Sequence, residues 1–569
     1  MPGVGGILIH PPARAPRPAA QRRPWGQLAL LLCVGSIIPA YLLATWTPLY
    51  ENDALWLTGH PLSPLVVPHY PPLYPLFTRA VNYVTMYAVY RHTGDFNPGL
   101  AFNLNDVGLY VIVVIQHALA VLALAVFALH AAGTLGRRLL AMLLLSANPV
   151  LFICCHNVMT EGLLCSLVVF LLVFALRVVR HPGAGSWRDH LGCAALLCLC
   201  IWTRHPAAVL AALVPGVSLA LLALRRDRPA TTKFAAALAC SLLAVWASGE
   251  VTKRLCRRIN HEEYEAIWGR AATYRVLAPH WAEMPPARRD DFIQRAQAHA
   301  PDPLVVRSIP EVVRDDNPWV GSWNIVRKTM IDAGVEAPTI AQVDRVLNGV
   351  CTACFATGDP ELFRSARDDL AAYLWGRRTS EVIDLVLLYR TSWHHDRIKN
   401  NELLLKMCKH LSQFAPDGGA AELTDADYHR FDLWYVDHQC PGDGAAAPAG
   451  MMAPARVDRL AGAGALQAMA PLNNLEYLAG LLVLTAAALL LRLTDRTDAL
   501  FALGCLVVAL LYLVLMAAVT VYLARYALVA TYLCHPVAAL LAGTVGRRRG
   551  AAGVGAASPR GTPPLRAAA

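Results

Sequence analysis

The sequence predicts an all-α polytopic membrane protein. About ten transmembrane helices are expected, with a mainly helical extracytoplasmic domain between the seventh and eighth. Three observations carry that expectation. Of 569 residues, 56% are hydrophobic and only 16% charged, with a mean hydropathy of +0.41. A soluble domain carries about 25% charged residues, and a disordered chain could not leave so much apolar surface in water. Second, the apolar residues fall in runs of about twenty, the length a helix needs to cross the hydrocarbon core. Third, the net charge of +10 is unevenly divided. Residues 253–471 hold 26 Lys/Arg against 29 Asp/Glu, whereas the rest of the chain holds 24 against 11. The basic excess accompanies the apolar segments, as loop asymmetry in membrane proteins demands. It therefore gives no support to a nucleic-acid partner.

Residues 1–26 are basic and Pro-rich and read as a cytoplasmic N-terminus. The run that follows is long enough to span, so it reads as an anchor rather than a cleaved leader. Candidate spans are 27–47, 108–130, 139–155, 159–176, 234–252, 473–491, 499–521 and 526–545. The stretch 191–224 would be about 50 Å long as one helix, too long for a single crossing. Arg204-His205-Pro206 divides it. Arg177, Arg180 and Arg188 precede it, while Arg225, Arg226, Arg228 and Lys233 follow. Both flanks read as cytoplasmic, so the stretch is expected to be a hairpin with Arg204 at its outer tip.

With ten helices the segments expected inside collect 20 Lys/Arg, and the short outer segments hold only Arg79, Arg91, Arg204 and Arg525. The expected layout is a first transmembrane module over 27–252, whose first outer loop is 48–107. An extracytoplasmic domain and linker follow over 253–471, then helices eight to ten over 472–546 and a cytoplasmic tail over 547–569. In the polar block, Asp359-Pro360-Glu361 reads as an N-cap with Pro at N1, and Ser380-Glu381 opens another periodic run. Residues 441–470 are Ala/Gly/Pro-rich and read as a linker. No internal repeat is visible.

Ten of the fifteen cysteines lie in or beside apolar runs, where Cys behaves as a small hydrophobe. Cys351-Thr-Ala-Cys354 has no second pair at zinc-finger spacing, so a disulfide or free thiols are expected before a metal. His394-His395-Asp396 resembles a metal cluster, but adjacent histidines on a helix point about 100° apart.

The predicted topology collects polar groups on the outer face. The first outer loop supplies Glu51-Asn52-Asp53 directly after helix one, then His69-Tyr70-Pro71-Pro72-Leu73-Tyr74-Pro75. Helix four begins Thr160-Glu161, the hairpin tip gives Thr203-Arg204-His205-Pro206, and the last outer turn gives Arg525-Tyr526. Ionisable groups at membrane depth are costly and by default functional. Each also has a plainer reading. Glu51 and Asp53 can be solvated loop carboxylates, Glu161 a favourable helix N-terminal charge, and Arg204 and Arg525 snorkelling anchors. His69 can be structural, and the run from Tyr70 to Pro75 a rigid interfacial segment.

This order of motifs resembles the GT-C membrane glycosyltransferases. The resembling parts are an acidic pair after helix one, the Tyr-Pro-Pro-Leu-Tyr-Pro segment, and Asn148-Pro149 leading to Glu161. Thr203-Arg204 and Arg525-Tyr526 add to the likeness, notably to the protein O-mannosyltransferase and aminoarabinose transferase branch. The likeness covers helices one to seven and the last helix; residues 253–471 resemble no known family. It implies an inverting transferase that moves a sugar from a polyprenyl-phosphate donor to a hydroxyl on a lipid, glycan or protein acceptor. The expected setting is a bacterial inner membrane with a periplasmic active site. By the resemblance the base lies in the first outer loop, at Asp53 with Glu51 in reserve, because the family's adjacent Asp-Glu is here Glu51-Asn52-Asp53. Glu161 would orient the site. Arg204, His205 and Arg525 would hold the donor phosphate, and His69, Tyr70, Tyr74 and Tyr526 would contact substrate. No cofactor is implied, and a divalent metal is left open.

The chemistry suits these residue types independently. Displacement at an anomeric carbon needs a carboxylate to deprotonate the acceptor and cations to stabilise the departing phosphate. No Gly-rich phosphate loop is present, in keeping with a lipid donor. The competing class is a transporter or flippase, which would show repeat symmetry or interrupted helices in matching halves.

Overall fold

The computed structural model describes residues 24–45, 71–91, 106–181, 186–225, 228–259, 273, 284–315, 321–375, 475–491, 495–519 and 528–544. Among them the regular structure is helical, with no strand. The membrane part begins with α1 (Pro24–Gly35) and α2 (Ile37–Thr45), followed by α3 (Leu73–Thr85), which continues into a π turn at Met86–Tyr90. Next come α4 (Asp106–Ala131), α5 (Leu135–Ser146), α6 (Pro149–Cys155), α7 (Thr160–Arg180) and α8 (Trp187–Thr203). A 3₁₀ helix (His205–Ala212), α9 (Leu213–Arg225) and α10 (Arg228–Ile259) complete the first half. Among the described residues five helical segments are long and apolar enough to cross a membrane: Tyr110–Ala131, Thr160–Arg180, His205–Leu224, Arg228–Arg258 and Arg496–Ala518. A sixth is reached if bent α1 and α2 count as one span.

The breaks have local causes. Between α1 and α2 the axis bends by 44°. Pro39 lacks the N–H that would bond to Gly35 and its ring crowds that carbonyl, so the helix kinks there. Gly35 itself lies against α5, and a Cβ would sit 2.1 Å from Met142 Cε. The span expected over 139–155 is divided instead into α5 and α6. Pro149 disfavours helical geometry at Asn148 and starts a new helix at its own N1 position.

Cations gather the helix ends at one level. Arg180 donates from Nε to Asp498 Oδ1 at 2.7 Å and from Nη2 to Asp498 Oδ2 at 3.0 Å. Its Nη1 donates to the carbonyl of His130 in the last turn of α4. Lys233 Nζ donates to the carbonyls of Val179 at 3.2 Å and His181 at 2.6 Å. Arg138 Nε caps Ala132 O at 2.9 Å and its Nη1 reaches Gln27, while Arg177 pairs with Asp189 at 2.9 Å. Helix C-termini leave carbonyls unpaired and carry negative dipole ends, and basic side chains satisfy both. These residues come from or border the segments whose Lys/Arg content predicts an inner face. α7 runs toward this level, which its C-terminal Arg180 reaches, and α8 leads away from it.

The expected reversal near Arg204 is present. Cys198 Sγ donates to Ala244 O at 3.2 Å and Trp202 Nε1 to Ser248 O at 2.9 Å, so α8 and α10 run parallel. The 3₁₀ helix and α9 between them must run back. α7 is the most enclosed of the apolar spans and packs on α4, α8 and α18 (Leu528–Thr544). α10 lies at the periphery and exposes Leu242, Leu243 and Trp246.

The polar block builds a second core from α11 (Pro286–Ala298), α12 (Pro303–Arg314), α13 (Gly321–Asp332) and α14 (Ile340–Ala356). Phe292, Ile309, Val326, Val343, Leu347 and Val350 fill it. Asp302 caps α12 by accepting from the amides of Leu304 and Val305 at 2.8 and 3.0 Å. Thr339 and Gln342 form a reciprocal capping box on α14. Inside α12, Pro310 cannot donate to Val306 O, and Gln297 Nε2 takes that carbonyl at 3.0 Å. α15 (Pro360–Trp375) opens as its sequence predicts, with Asp359 Oδ1 accepting from Glu361 N at 3.1 Å. It links both cores: Leu362 belongs to this domain, whereas Tyr373 is fully buried in the membrane bundle. There α15 packs on α17 (Arg496–Val519), which follows α16 (Leu475–Leu490).

Cys351 and Cys354 are free, buried thiols. Burial pushes Cys351 up to about 12 and Cys354 well above the usual thiol range. Reactivity requires the thiolate, so both should resist maleimide while folded. With Cys33, Cys408 and Cys440 replaced by Ser, that silence permits a topology test. A cysteine introduced at exposed Arg307 or near residue 420 should react with an impermeant maleimide in intact cells. Labelling only after lysis would place the domain on the basic face instead.

Candidate functional site

At the end of the bundle opposite the basic level, Glu161 and Arg204 meet. Glu161 lies in the first turn of α7, where an acid is favoured by the helix dipole. Its Oε2 accepts from Thr160 Oγ1 at 3.0 Å, and its Oε1 is 2.5 Å from Arg204 Nη1. Their side chains are 3% and 15% exposed, so the pair is largely withdrawn from water. Gly162 permits this placement. A Cβ there would stand 2.8 Å from Cys154 O and 2.9 Å from Cys155 Cα, which would force α7 away from α6.

Arg204 ends α8 in an extended conformation, φ −159°, rather than a helical one. Its amide closes α8 on Cys200 O at 2.9 Å, and its carbonyl accepts from Ala207 N at 3.0 Å, opening the 3₁₀ helix. Pro206 in the first turn enforces this interruption. His205, next in the chain after Arg204, begins the 3₁₀ helix. The two carriers of charge thus sit at interruptions of neighbouring helices, where backbone geometry rather than a flexible loop fixes their position.

A second polar layer lies behind them. Gln116 of α4 donates from Nε2 to the carbonyls of Cys155 and Asn157, both at 2.9 Å. These carbonyls belong to the break between α6 and α7, and Gln116 satisfies them. Tyr74 Oη donates in turn to Gln116 Oε1 at 3.0 Å. Next to this, His117 Nε2 and His156 Nδ1 are 3.1 Å apart in a fully enclosed pair.

Of the residues expected from sequence, Glu161 and Arg204 are brought together, with His205 next in chain. Tyr74 is fully buried and braces Gln116. Glu51, Asp53, His69, Tyr70, Arg525 and Tyr526 lie outside the described residues, as does His394-His395-Asp396. Gln116, His117 and His156 were not anticipated. Their signal was a pair of polar residues inside the run 108–130 and a third at the end of 139–155, which at membrane depth asks for an explanation. Among the described residues no group of three or more His, Cys, Asp or Glu is placed to hold a metal ion. Comparison with protein-family models, with curated proteins and with solved structures finds no match.

Proposed function

We propose that this chain is a membrane glycosyltransferase. It moves a sugar from a polyprenyl-phosphate donor to an acceptor hydroxyl at the face of the bundle that carries Glu161 and Arg204. The acceptor is a lipid, a glycan or a protein, and the setting is a bacterial inner membrane with the site on the periplasmic side. The observation that carries this reading is the enclosed Glu161–Arg204 pair at two helix interruptions, distant from the basic level. A guanidinium fixed in a largely dry site stabilises a departing phosphate far better than a solvated one. Glu161 holds its fork in place, His205 stands beside it, and Arg525 supplies a second cation. Asp53, with Glu51 in reserve, deprotonates the acceptor for an inverting displacement, and His69, Tyr70, Tyr74 and Tyr526 shape the substrate site. No step calls for a cofactor.

A transporter or flippase is the second reading. The interruptions at Ser36, Asn148 and Arg204 favour it, since broken helices also build transport sites. One assay separates the two. Purified protein is given a polyprenyl-phosphate donor labelled in its sugar, and both sugar transfer and donor binding are measured. Transfer is expected, and Arg204→Ala should weaken donor binding by about 2–5 kcal/mol. Arg204→Lys should recover only part, lacking the planar fork. Donor movement across a proteoliposome without sugar release would favour transport. Unchanged donor affinity in Arg204→Ala would remove the phosphate role.

A further inference from the structure

We propose that Arg79 of α3 is a further cation of this site, binding the phosphate of an anionic lipid alongside Arg204; the inference rests on the reading above and extends it. α3 is built inside out. Thr78, Arg79, Asn82 and Thr85 are buried, Arg79 to 2% exposure, while Tyr83, Val84 and Tyr87 face outward. At 100° per residue the buried positions from Tyr74 to Thr85 fall within an arc of about 140°. A helix between water and an apolar core shows the opposite arrangement. Polar side inward and apolar side outward is the pattern of a helix with lipid on one side and the polar groups of the bundle on the other.

Its neighbours are the helices that build the site. α3 packs on α4 and on α8, the helix that Arg204 ends, and Tyr74 ties it to Gln116. On the buried face the hydroxyls are engaged with α3 itself: Thr78 Oγ1 donates to Tyr74 O at 3.1 Å and Thr85 Oγ1 to Val81 O at 2.9 Å. Arg79 is the group on that face with both charge and reach. A π turn follows at Met86–Tyr90, a distortion that recurs at functional sites. Enclosing a guanidinium is expensive, and a planar fork of donors suits phosphate.

The test uses the full chain in detergent with three probes: a polyprenyl monophosphate, the neutral polyprenol and inorganic phosphate. The wild type should bind the monophosphate well above the polyprenol. Arg79→Met, similar in length and apolar, should weaken monophosphate binding at least about tenfold without changing polyprenol binding. Arg79→Lys keeps the charge and should be several-fold weaker; it decides the matter if the Met variant does not fold. Wild-type affinity in the folded Arg79 variants overturns this inference alone, because monophosphate binding by the wild type leaves the transferase reading standing. Arg79-dependent binding of inorganic phosphate with no lipid preference keeps the anion site and fells the lipid-donor reading. A wild type that binds none of the probes overturns both.

Discussion

Glu161→Ala should lower the stability of the folded bundle by about 3–5 kcal/mol, because it leaves Arg204 enclosed without its carboxylate. The pair is 3% and 15% exposed, so solvent cannot compensate at the site. The same physics predicts a contrast. Replacing both partners, Glu161→Leu with Arg204→Met, removes two desolvation penalties along with one attraction. That double variant should regain most of the lost stability. Denaturant titration in detergent reads both. If the site exists for chemistry and not for stability, the double variant is stable but does not bind the donor. A single variant as stable as the wild type would mean that water reaches Arg204 freely, and the dry-site reading would fall.

How much of this was legible in the sequence differs from residue to residue. The break at Arg204 was, because Pro206 and the basic flanks left few other ways to place a largely apolar stretch of 34 residues. The start of α7 at Thr160 and the Asp359 cap were legible for similar reasons: caps and prolines act locally. α3 was not. Its residues were expected to be loop, since an inverted helix breaks the rule that apolar faces point inward, and only the surroundings say which side is lipid. Gln116 shows a further limit. Its partners are the carbonyls of Cys155 and Asn157, 39 and 41 residues away, and no local pattern announces that a helix will break beside it. α10 was expected to end near residue 252, where hydropathy falls, yet it continues to Ile259. Hydropathy marks the part suited to lipid and not the end of the hydrogen-bond ladder.

Asp53→Asn should abolish sugar transfer, with loss of the general base alone worth about 10²–10⁴-fold. Asparagine keeps the size and much of the hydrogen bonding of aspartate but cannot accept the acceptor's proton. Asp53 follows the first apolar run closely in sequence, so that run is expected to set its height. Glu51 stands two residues earlier. In an extended segment both would face the same side, whereas in a helical turn they would diverge by about 200° and only one could reach the acceptor. Glu51→Gln is therefore expected to be the milder change. Donor affinity measured in parallel should stay near wild type in Asp53→Asn, since the base acts on the acceptor and not on the phosphate. A dead Glu51→Gln beside a working Asp53→Asn would move the base by two residues and leave the mechanism standing. Full activity in both would take the base out of the first outer loop, and with it the inverting displacement proposed for this face.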